Sequence, residues 1–66
     1  MKIYQGVIPQ EDMLVMNGEA LDQMFRNNIF AESENLIRNG FRKVICTGME
    51  TDPSDGWTKL VWEVER

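Results

Sequence analysis

Sixty-six residues, 42% hydrophobic and 27% charged, are enough for one folded domain and no more. Seven Lys/Arg against eleven Asp/Glu leave a net charge of −4, which argues against the basic face of a duplex-binding domain. One cysteine excludes an intrachain disulfide, the absence of histidine removes the usual zinc ligand sets, and no apolar run approaches the length of a membrane span.

Lys2–Ile8 is rich in β-branched and aromatic residues and predicts a first strand, with Gly6 marking a bulge or a close approach. No charged stub followed by an apolar core opens the chain, so no signal peptide is expected. Pro9-Gln10-Glu11-Asp12 is a turn by composition. Met13–Met16 reads either as a second strand or as a short helical turn begun by Pro9, and the Asn17-Gly18 stop signal favours the strand.

A helix follows. Asn17 suits the N-cap, and Glu19 and Asp22 suit the positive end of the helix dipole. Leu21, Phe25, Ile29, Ser33 and Leu36/Ile37 recur at spacings of three and four on one face, and the apolar ones among them form its predicted core side. Asp22/Arg26 and Glu34/Arg38 are i,i+4 pairs with the acid first. Asn27-Asn28 is its weak point, where a kink or break is expected if one occurs. Asn39-Gly40 closes it, with Phe41 packing back on Leu36 or Ile37.

Phe41–Thr47 and Thr58–Glu65 predict two more strands, joined by a long hairpin loop over residues 48–56 that contains Asp-Pro and Asp-Gly turns. The expected fold is therefore α+β: a small antiparallel or mixed sheet, ββαββ or βαββ, with one helix packed on one face. Ile3, Val44, Leu60, Trp62 and Val64 are its predicted sheet core.

Residues that carry chemistry are scarce. Cys46 lies in a predicted strand beside Val44 and Ile45 with no histidine to act as base, and an inert buried thiol is the expectation. Ser33 and Ser54 lack the same partner. Glu50, Asp52 and Asp55 fall short of the ligand alternation of a calcium loop and read as a solvated turn. So short a chain seldom encloses a substrate pocket. Neither an enzyme, a cofactor nor a metal is expected.

The terminal hairpin is more informative. Leu60, Trp62 and Val64 share one face, while Trp57, Lys59, Val61, Glu63 and Glu65 share the other beside Ile45. A half-solvated sheet should show a cleaner polar side than that. A contiguous apolar patch rimmed by polar groups marks an interaction surface, unless a neighbouring segment covers it. Ile45, Trp57, Lys59 and Val61 are accordingly the candidate protein-contact residues. Met13, Met16, Met24 and Met49 either fill gaps in the core or add to a binding surface.

A domain this small buries only roughly 60% of the surface its unfolded chain exposes. Without disulfide or metal, association is the remaining support. The plan resembles that of small accessory proteins of phages and bacteria, which bind and modulate a larger host enzyme. That resemblance is one of architecture, and it implies a protein partner. The expected function is protein binding, as a homo-oligomer or as a modulator of a larger protein. The alternative is single-stranded nucleic acid stacked on Trp57 and held by Lys43 and Lys59. The free thiol suits a cytoplasmic, reducing compartment.

Overall fold

A computed structural model describes residues 1–66. Its elements run β1 (Lys2–Pro9), α1 (Gln10–Met13), α2 (Gly18–Arg38), β2 (Lys43–Asp52) and β3 (Trp57–Glu65). The strands form one antiparallel sheet in the order β1-β3-β2. Because β1 and β2 both run against β3, they are parallel to each other, and α2 carries the chain across β3 between them. This is a split βαβ unit closed by a hairpin, a small α+β fold with one long helix.

Local chemistry accounts for α2. Asn17 caps it, its Oδ1 accepting the Ala20 N–H at 2.8 Å. At the other end Phe41 N–H donates to Leu36 O and Gly40 N–H to Ile37 O, the bond pair of a Schellman motif. Gly40 supplies the positive φ, +96°, that this ending requires. The associated apolar contact is Leu36 with Phe41, both buried in the core. Helix α2 runs unbroken through Asn27-Asn28 because both amides are occupied within it. Asn27 Oδ1 accepts from Gln23, and Asn28 Nδ2 donates to Met24 O.

Four expectations are corrected. Met13–Met16 is not a strand: Gln10–Met13 is a helical turn, and the following N–H groups of Leu14, Val15 and Met16 bond back into it. The backbone leaves β1 at Pro9 and must climb to the helix layer, and Met13 Sδ then accepts from Thr58 Oγ1 across the end of the sheet. Residues 48–52 are not loop. Strand β2 continues to Asp52 past a bulge between Cys46 and Gly48, so the hairpin turns only over 53–56. Phe41 precedes β2 and is buried in the core rather than paired in a strand. Ile37 is 59% exposed, because the inward row of α2 runs through Phe25, Ile29 and Leu36 and the next residue points about 100° away.

The core sits between α2 and the inner sheet face. Leu36, Phe41, Leu60, Trp62 and Val64 are buried there, with Ile3, Val7, Phe25, Ile29, Val44 and Cys46 packed against them. Only seven of 66 residues are buried. The accessible surface is 4619 Å², above the roughly 4,300 Å² expected of a folded monomer of this mass. No helix is long and apolar enough to cross a membrane.

Candidate functional site

Two surfaces compete for attention, one on each side of the sheet. On the outer face the register sets Tyr4 and Gly48 on either side of Val61, Gly6 and Glu50 beside Lys59, and Pro9 and Asp52 beside Trp57. The four residues singled out from the sequence do belong to this face, but they are not equally available. Val61 is only 4% exposed, held on the central strand between its neighbours. Trp57 is 39% exposed. Its ring reaches across to Gly6, where a Cβ would lie 3.5 Å from Trp57 Cε3, an ordinary van der Waals contact. Ile45 stands out at the β2 edge, opposite Glu63.

Lys59 is occupied. Its Nζ donates to Asp52 Oδ2 at 3.0 Å and to Asp55 Oδ2 at 2.8 Å. Asp52 Oδ1 also accepts from the Ser54 hydroxyl and the Ser54 N–H, and Asp55 Oδ1 accepts the Trp57 N–H. The Ser54 bonds, with Lys59 behind them, lower the Asp52 pKa from its ordinary 3.8 to about 2. The Lys59 hydrogen bond first, then the Trp57 N–H, lowers that of Asp55. The same two carboxylates raise Lys59. The turn acids are thus ligands of an ammonium group, and Glu50 lies apart from them on the strand.

The inner side carries what sequence reasoning did not single out. An open cleft of about 660 Å³ lies between the N-terminal half of α2 and β2. Leu21, Phe25 and Ile29 line it from the helix, and Cys46, Met49 and Leu60 from the sheet. It opens where the helix packs less closely: Leu36 near the C-terminal end of α2 and Phe41 just after it are buried, while Leu21 and Phe25 in its N-terminal half remain partly exposed. Met49 stands 52% exposed at its lip. Cys46 is half-buried in the wall, with Gly48 O 3.8 Å from its sulfur. Met13, Met16 and Met24 are half-buried, which leaves Met49 as the methionine offered to solvent beside the cleft. The sequence held one signal for this: a loop assignment for residues 48–52 hid Met49, whereas its alternation with Glu50 and Thr51 continues the strand.

Other apolar groups lie outside. Leu14 and Val15 are exposed after α1, and Phe30 and Ile37, seven residues apart, share the outer flank of α2. No three Cys, Asp or Glu side chains converge as a metal-ligand group. Comparison with family models, curated proteins and solved structures yields no match to this chain.

Proposed function

We propose that this chain is a protein-binding module, acting on itself or on a larger protein, and that the cleft between α2 and β2 is where it binds. The observation that carries this reading is apolar area left unfilled beside an open strand edge. Leu21, Phe25, Ile29, Cys46 and Leu60 line a gap that the chain's own side chains do not close. Beside it Met49, adaptable and exposed, suits contact with an incoming apolar group. Of Ile45, Trp57, Lys59 and Val61 on the outer face, the exposed Ile45 and Trp57 extend the surface along the same hairpin, while Val61 is covered and Lys59 is held by the turn carboxylates. A reducing, cytoplasmic setting fits a surface that contains a free thiol.

Single-strand binding by the outer face gains no support, since Lys59 is held by two carboxylates and Glu50, Glu63 and Glu65 share that face.

The test is a photo-reactive amino acid placed at position 49 in the producing cell, with position 34 on the solvent side of α2 as the control. Position 49 is expected to give a discrete covalent adduct, either two copies of the chain or one copy with a second protein. Adducts no more abundant at 49 than at 34 would remove the reading.

A further inference from the structure

Strand β2 is an edge of the sheet, and no backbone hydrogen bond from the rest of the chain reaches its free side. Ten residues of unpaired edge are a template for another strand. The composition of this edge says which strand fits.

Opposed residues in an antiparallel pair point to the same side of the sheet. Within β2, Lys43, Ile45, Gly48, Glu50 and Asp52 belong to the outer face, since their partners on β3 are Glu65, Glu63, Val61, Lys59 and Trp57. Val44, Cys46, Met49 and Thr51 belong to the inner face, opposite Val64, Trp62, Leu60 and Thr58. Thr47 is the extra residue of the bulge. A strand without a bulge, turned on itself about a point between two residues, would oppose inner to outer positions. In β2 the bulge falls at the midpoint and removes that mismatch.

Two copies paired along all ten residues would oppose Lys43 to Asp52, Val44 to Thr51, Ile45 to Glu50 and Cys46 to Met49, each pair on one face. No like charges meet, and Lys43 of each copy meets Asp52 of the other, with the partner's Glu50 diagonal to it. In its own chain Lys43 has only a loose 4.0 Å contact with Glu65.

The other edge, β1, does not have this property. Its bulge lies between Gly6 and Ile8, off-centre, so self-pairing over Lys2–Pro9 would oppose inner Gln5 to outer Gly6. It also carries a single charge, Lys2, and ends in proline. Bulges ordinarily protect edges, and that role fits β1, whereas the bulge in β2 is placed where it permits symmetric pairing.

We propose that the occupant of the cleft and edge is a second copy of this chain, joined through β2 in that register to give a continuous six-stranded sheet with both α2 helices on one side. The proposal rests on the protein-binding reading and names its partner. The pairing sets Met49 of one copy against Cys46 of the other, in the wall of the partner's cleft, so each cleft receives a methionine across the two-fold axis. The ladder would add about ten backbone hydrogen bonds, one per residue of the ten-residue strand.

Light scattering over a concentration series is expected to give twice the 7.7 kDa chain mass. The register is tested by Met49→Cys. Under mild oxidation the new thiol and Cys46 of the other copy are expected to trap the dimer. A bridge between the same two positions within one chain, which the bulge at Thr47 leaves on one face, would keep the mass of a single chain, so only a covalent dimer on a non-reducing gel reports the pairing. Thr51→Cys, whose partner would be Val44, is expected to stay uncrosslinked. Lys43→Glu, which puts acid opposite acid twice per dimer, is expected to weaken association about tenfold.

A monomer at every concentration overturns the proposal, as does a dimer that Thr51→Cys traps and Met49→Cys does not. If the chain is monomeric but position 49 cross-links to a different protein, self-pairing fails while the binding reading stands. If neither occurs, both fall.

Discussion

Trp62 is 1% exposed, so its indole N–H must find a partner inside the protein. It donates to Gln5 Oε1 at 3.1 Å, from the strand alongside. Gln5→Leu would leave that donor buried and unpaired, at a cost of about 1–3 kcal/mol. In a domain this small that lowers the thermal midpoint by several degrees, whereas Gln5→Glu, which keeps an acceptor, should lower it less. Thermal unfolding of the two variants checks this, and equal midpoints would mean the bond contributes nothing. Thr58 shows the same rule, being wholly buried with its hydroxyl between Thr51 Oγ1 and Met13 Sδ. From the sequence Trp62 is recognisable as core by its alternation with Leu60 and Val64. Its partner is not, because Gln5 lies 57 residues away and nothing local ties the two.

At the scale of the element, the β2–β3 turn is a small electrostatic device. Asp52 and Asp55 both grip Lys59 while fixing the backbone at Ser54 and Trp57. Folded pKa values below the ordinary 3.8 mean that the carboxylates stabilise the fold fully above about pH 4. That contribution is lost as pH falls from there to about 2, the folded value of Asp52. Lys59 is raised, so its share is complete below its ordinary 10.5 and is lost at higher pH, through the folded value. The stability difference between the wild type and Asp52→Asn should therefore shrink between pH 4 and 2. Denaturant unfolding at those two pH values measures it, and a constant difference would show that the turn bonds do not depend on the charge.

Helix α2 was legible nearly to the residue, from the Asn17 cap to the Gly40 ending, because caps and i,i+4 pairs are local chemistry. The end of β2 was not. Asp-Pro and Asp-Gly mark a turn truthfully, but pairing with β3 decides how far the strand runs before it. Met13–Met16 suits strand or helical turn by composition, and the need to climb from β1 to α2 selects the helical turn begun at Pro9 over the favoured strand.

On the scale of the molecule, a core cluster of five buried residues and an open cleft leave apolar side chains of the single chain uncovered. If a second copy covers them, folding and association are one equilibrium, and stability must depend on concentration. The thermal midpoint should rise measurably with each tenfold increase in chain concentration. Differential scanning across three such steps reads this directly, and an invariant midpoint is the signature of a self-sufficient monomer.

The sequence by itself determined the class of fold, the helix and its caps, and the alternation that sends Leu60, Trp62 and Val64 inward. These follow from propensity and periodicity, which act over a few residues. Only the tertiary structure decided that Val61 is covered on the outer face, that Lys59 is taken up by the turn, and that the cleft opens beside Met49 and Cys46. Those outcomes depend on strand order, on two bulges and on where along α2 the helix meets the sheet. They are set by contacts between residues far apart in the chain, which no local pattern records.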